Sequence, residues 1–129
     1  MIGLFLLTHA TYGESLIQCA CHVLNKRPLQ IAQLGIAAQD DPLDSLPLAR
    51  DMLQLVDGGR GVLVLTDIYG ATPSNLAMKL LEPGRIEGIA GVNLPMLLRA
   101  IAYRDKDMET LITRSVAGGR DGVLNMLKH

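Results

Sequence analysis

Gly61-Val62-Leu63-Val64-Leu65-Thr66-Asp67-Ile68-Tyr69-Gly70-Ala71-Thr72-Pro73-Ser74-Asn75 combines the most strand-like run in the chain, an acidic loop and the start of a helix. Val62 to Leu65 is apolar without alternation, as expected of a strand covered on both faces, so the strand is read as Gly61–Thr66. Thr72 followed by Pro73 signals a helix start, with Thr72 as N-cap and proline at the first helical position. The helix is expected to run through Leu81, before Pro83-Gly84. A fully buried strand leading into a helix is the repeating unit of a parallel α/β sheet.

The same unit recurs on both sides. Ile2–Thr8 is a continuous apolar run, followed at helical spacing by Leu16, Ile17, Ala20, Val23 and Leu24 until Asn25-Lys26-Arg27-Pro28. Leu29–Ala37 has strand length, Asp40-Asp41-Pro42 is a loop, and Leu43 to Val56 reads as a helix. Ile86–Val92 is a fourth apolar segment, Leu94-Pro95 begins a helix reaching Tyr103, and Asp107 to Val116 is helical in pattern until Gly118-Gly119 interrupts it. Gly122–Leu127 remains as a short apolar tail. The alternation predicts one domain over residues 1–129 in the α/β class, doubly wound, with a mainly parallel sheet and helices on both faces.

Composition removes several functions. The 129 residues are 49% hydrophobic and 19% charged, which suits a globular core. A formal charge of −1 with only 3% aromatic residues gives neither a basic surface nor stacking platforms, so no nucleic acid partner is expected. The first Lys or Arg is Lys26, which leaves no positive n-region for a signal peptide. The apolar run Ile2–Leu7 is far below the ~20 residues of a membrane span. A cytoplasmic protein without membrane insertion is expected.

Cys19 and Cys21 are too few and too close for a disulfide framework. On a helix they point about 200° apart, cannot share an ion, and are expected to be small buried thiols. Asp40, Asp41 and Asp44 leave two readings, a cation site or the solvated carboxylates of a loop and helix start. Gly58-Gly59-Arg60-Gly61 precedes a strand, whereas a dinucleotide fingerprint follows one, and no Walker-type Gly-Lys-Ser/Thr occurs. No cofactor and no metal are expected. His129, the chain end, is expected to be disordered.

In a doubly wound sheet, ligands sit beyond the carboxyl ends of the strands, where crossovers diverge. Thr8-His9-Ala10 follows the first strand and Asp67 follows the third. If those strands are neighbours, His9 and Asp67 face each other. The carboxylate then accepts the Nδ1 proton, leaving Nε2 as a nucleophile or base. Gly70 lets the loop curl, and the Thr72 hydroxyl and the helix start beside it suit an anion. Together they suit a phosphoryl group carried on His9, with His9 and Asp67 catalytic and Thr72, Gly70 and Ser74 binding phosphate. With neither a nucleotide site nor a metal cluster present, the donor is expected to be a phosphoprotein. Tyr12 and Tyr69 are expected to rim the site.

These residues resemble the IIA domain of the mannose-type (mannose/fructose/sorbose) family of the bacterial phosphoenolpyruvate:sugar phosphotransferase system. Ile2–His9, the Leu65–Asn75 loop, Gly91-Val92-Asn93-Leu94-Pro95-Met96-Leu97 and Gly119-Arg120-Asp121-Gly122-Val123 carry the resemblance. It implies phosphorylation of His9 by the phosphocarrier HPr and transfer to a IIB component in sugar transport. It also implies Asp67 orienting the imidazole and Thr72 at the place of a phosphate-binding serine. It further implies a homodimer that exchanges an antiparallel C-terminal edge strand, for which the tail at Val123, Leu124, Met126 and Leu127 is the candidate. Packing of that tail on its own subunit is the other reading. Ala10 and Ala71 stand where the family usually has glycine. A stand-alone IIA protein is expected, with two alternatives: a regulatory phosphorelay protein without a transporter, or the phosphotransferase subunit of dihydroxyacetone kinase. The Gly-Val-Asn-Leu-Pro stretch argues against the second.

Overall fold

A computed structural model describes residues 1–128 of the chain. His129 lies outside the described residues, and so does the expectation of its disorder. The elements run in the order β1 (Gly3–His9), α1 (Tyr12–Leu24), β2 (Ile31–Ile36), α2 (Pro42–Val56), β3 (Val62–Thr66), α3 (Thr72–Met78), β4 (Ile86–Ala90), α4 (Leu94–Tyr103) and α5 (Met108–Asp121). The strands form a parallel sheet in the order β2-β1-β3-β4.

The continuous apolar runs of β1 and β3 feed two cores. Leu4, Leu6, Leu63 and Leu65 point to one face, where Leu16, Ile17 and Ala20 of α1, Met96, Leu97 and Ala100 of α4, and Leu111 of α5 cover them. Phe5, Leu7, Val62 and Val64 point to the other, against Ala49 and Leu53 of α2 and Leu76 and Ala77 of α3. The doubly wound reading therefore holds, with helices on both faces of a parallel sheet. The step from β1 to β2 and the step from β1 to β3 go opposite ways, so the switch point lies between β1 and β3.

Several local expectations are corrected. Gly118 and Gly119 do not interrupt α5 but lie inside it. A Cβ on Gly118 would sit 2.7 Å from Arg99 Cβ, and one on Gly119 would sit 2.8 Å from Met96 Cε, so the pair lets α5 press onto α4. Helix α3 ends at Met78, three residues before Leu81. The i→i−3 bonds Lys79 N–H to Leu76 and Leu80 N–H to Ala77 tighten its last turn instead. The cysteines are not both buried: Cys19 is exposed and Cys21 half-buried. The stripe of α1 that meets the core is Gly13, Leu16, Ile17 and Ala20, and both thiols flank it. Val23, on the same helix, is exposed too.

The Gly-Val-Asn-Leu-Pro-Met segment has a structural reason. Gly91 turns the chain at φ 97°, and Val92 is buried. Asn93 caps α4 by accepting from Met96 N–H at 2.9 Å and donates to the Gly119 carbonyl at 3.0 Å. A Cβ on Gly122 would lie 2.4 Å from Pro95 Cβ. Two of the four segments behind the family resemblance thus pack on each other. Beyond Gly122 the described tail forms no strand within the chain, and Val123 and Leu127 are 74% and 96% exposed.

At the opposite end of the sheet, Arg104 is only 4% exposed. Its guanidinium donates to the carbonyls of Ile2 (3.0 Å), Leu29 (2.6 Å) and Gln30 (2.6 Å), gathering the starts of β1 and β2. Burial pulls its pKa below the ordinary arginine value, against the opposing pull of Asp105.

Candidate functional site at the switch point

Leu6 of β1 pairs with Leu65 of β3, so the next turns of chain carry His9 and Asp67 to the same edge. Asp67 Oδ2 accepts twice from His9, from the backbone N–H at 3.0 Å and at 2.9 Å from ring Nδ1. The side chain of Asp67 is 15% exposed and that of His9 is 47% exposed, so the carboxylate sits behind the imidazole. Burial works to raise the Asp67 carboxyl, but the bonds from the His9 backbone and ring outweigh it and hold the group below its ordinary value. An ionised carboxylate can only accept, so in the neutral imidazole the bonded Nδ1 carries the ring proton and Nε2 keeps its lone pair. Asp67 Oδ1 is buried without a hydrogen-bond partner among the described residues.

The loop that bears His9 is pinned on several sides. Thr8, fully buried, accepts from Gly13 N–H at 2.8 Å through its hydroxyl, while Ala10 N–H donates to the Ile36 carbonyl at 3.0 Å. Ala10 sits in the left-handed region at φ 45°, where glycine would be unstrained. The other alanine standing for glycine is different. Ala71 is extended, at φ −95° and ψ 174°, and any residue fits there.

The expected phosphate-binding residues are not all brought together. Thr72 lines a cavity with His9, Ala10, Ile36, Ala37, Ala38, Asp40 and Pro42. Ser74 is buried and lines a separate groove with Thr66, Tyr69, Ala77 and residues of β4. Gly70, exposed and at φ 90°, shapes the turn between Asp67 and Thr72. Thr72 is not the N-cap: Ala71 takes that position, Thr72 is the first helical residue, and no side chain caps α3. The extended backbone of Ala71 moves the helix start by one residue relative to the Thr-Pro signal.

Two of the three acidic residues are spent locally. Asp40 Oδ2 accepts from Ala37 N–H at 2.7 Å and Asp41 Oδ1 from Leu43 N–H at 2.9 Å, which supports the loop and helix-start reading. Among the described residues no three His, Cys, Asp or Glu side chains are grouped to hold a metal ion, and no helix is long and apolar enough to cross a membrane. Tyr69 and Tyr12 are 76% and 41% exposed, as rim residues would be, and the Tyr12 hydroxyl also donates to the Val92 carbonyl at 2.8 Å. The sequence pattern held no signal for that bond or for the Arg104 clamp, since each joins residues more than seventy positions apart.

Residues 3–116 match the model of a family described as the PTS system fructose IIA component, EIIA-man. Over 125 residues the chain is 29% identical to the PTS system mannose-specific EIIAB component of Escherichia coli (strain K12), covering 95% of this chain. The chain spans 38% of the length of that relative. The PTS component EIIA of Streptococcus agalactiae superposes with a TM-score of 0.87 at 19% identity, covering 100% of both chains. The mannose/sorbose specific IIA subunit from Enterococcus faecalis does so at 0.84 and 23% identity, covering 96% of this chain and 93% of that one. At these identities the two structures share the fold.

Proposed function

The chain belongs to the EIIA-man family, the IIA components of fructose- and mannose-type sugar phosphotransferase systems, and from that premise we propose that it carries a phosphoryl group on His9. The observation that supports this reading is the His9–Asp67 pair at the switch point, with Nδ1 held at 2.9 Å and Nε2 unpaired by it. HPr, bearing its own phosphohistidine, is the proposed donor and a IIB component the proposed acceptor.

In the transfer, the Nε2 lone pair of His9 attacks phosphorus in line. The new N–P bond forms as the donor's N–P bond breaks, and that bond's electron pair leaves with the donor imidazole. His9 keeps its Nδ1 proton and becomes a cationic ring, which the Asp67 carboxylate offsets across the existing hydrogen bond. Thr72, lining the same cavity, offers its hydroxyl to an equatorial oxygen. A histidine-to-histidine transfer needs no cofactor, and positioning is its main requirement.

The proposed assembly is a homodimer. Strand β4 is an edge of the described sheet, and Val123, Leu124 and Leu127 of the tail expose their apolar side chains, a combination better satisfied by strand exchange with a second copy. Incubation with phosphoenolpyruvate, enzyme I and HPr tests the carrier role. One acid-labile phosphoryl group per chain is expected, and His9→Ala should abolish it; acceptance at the normal rate by His9→Ala would refute the assignment.

A further inference from the structure

Tyr12 opens α1, three residues after His9, and its hydroxyl reaches across to the Val92 carbonyl at 2.8 Å. Val92 is itself fixed. Its N–H and that of Gly91 both donate to the Thr66 carbonyl at 2.9 Å, and Thr66 immediately precedes Asp67. Asp67 returns the connection to His9 through its two bonds at 3.0 and 2.9 Å. The loops after β1, β3 and β4 are therefore joined in a closed circuit: His9 to Asp67, Thr66 to Val92, Val92 to Tyr12, and the first turn of α1 back to His9.

The other anchors of the His9 loop point elsewhere. Ala10 ties it to β2 through Ile36, and Thr8 ties it inward to Gly13. The Tyr12 hydroxyl supplies the polar link toward β4. Burial, and then the nearby Asp67 charge, raise the phenol above its ordinary value, so the hydroxyl keeps its proton and stays a donor.

We propose that Tyr12 is a positioning residue for phosphoryl transfer: its bond to the Val92 carbonyl locks the β1–α1 loop against the β4–α4 loop and so holds the His9 imidazole on Asp67. This rests on the reading of His9 as the acceptor. Tyr12 touches neither the reacting nitrogen nor phosphorus, and no proton leaves it during the transfer.

Tyr12→Phe tests the proposal, because it keeps the ring and deletes only the hydroxyl. In the phosphoenolpyruvate-driven assay, kcat for acceptance should fall about five- to tenfold with KM for phospho-HPr unchanged, the loss expected for one hydrogen bond that fixes geometry. In the unphosphorylated protein, the ¹⁵N signals of the His9 ring should show a smaller Nδ1-protonated fraction than wild type. A wild-type kcat, an unchanged ring signal, or a raised KM at unchanged kcat would each overturn the positioning role. If the wild-type chain accepts no phosphoryl group, the acceptor reading fails by itself. The ring signal of Tyr12→Phe then still decides whether the circuit holds His9 on Asp67.

Discussion

The backbone of Gly35 lies directly against Ala10: a Cβ built on Gly35 would be 1.8 Å from the Ala10 carbonyl oxygen. Ala10 follows His9 and holds φ 45°, so the loop carrying the candidate acceptor is seated on β2 through a strained residue. Glycine at position 10 would relieve about 1–2 kcal/mol of left-handed strain and give back roughly 0.5–1 kcal/mol of unfolded-state entropy. Ala10→Gly should therefore raise stability by somewhat under about 1 kcal/mol in urea unfolding. Gly35→Ala should destabilise by several kcal/mol, because backbone and not a flexible side chain must move. A neutral Gly35→Ala would contradict the contact.

Asp67 gives a pH signature. Its folded pKa is depressed, so its contribution is complete above the ordinary carboxylate pKa of about 3.9 and fades as pH falls through the lower folded value. Asp67→Asn should cost about 2 kcal/mol at neutral pH, the worth of hydrogen bonds to a charged acceptor. The difference from wild type should shrink below about pH 4. Unfolding titrations from acid to neutral pH check this, and a difference that grows toward acid would be the wrong sign.

Arg104 gives a stability test remote from the site. Lysine retains the charge but cannot present the planar fork that reaches the carbonyls of Ile2, Leu29 and Gln30. Arg104→Lys should lose about 3 kcal/mol in chemical denaturation while leaving phosphoryl acceptance by the folded fraction unchanged.

The tail tests the proposed assembly. The full chain should run as a dimer in light scattering, and the chain shortened after Gly122 as a monomer. A dimer that survives the shortening would place the interface elsewhere.

Much of the architecture was legible because β1 and β3 are buried on both faces, and a run such as Val62 to Leu65 has few other uses. The approach of His9 to Asp67 was legible only through the conditional step that β1 and β3 are neighbours, which the sheet order satisfies. What escaped was decided by neighbours distant in sequence. Gly118 and Gly119 look like a helix break until α4 is packed against them, and only the fold brings Arg104 to the carbonyls at the start of the sheet. Ser74 reads as part of the phosphate loop, but the first turn of α3 carries its side chain to the groove beside β4. The exposure of Tyr12 fits a rim residue, but its bond to Val92, eighty positions away, left no sign in the sequence.

Asp67 occupies Nδ1 of His9, so the proposed phosphoryl group falls to Nε2. Nitrogen–phosphorus correlation NMR on the ¹⁵N-labelled, phosphorylated protein reads the bonded atom directly. A single phosphorylated ring, His9, with phosphorus on Nε2 is the expected result; phosphorus on Nδ1, or on any residue other than His9, would refute the assignment.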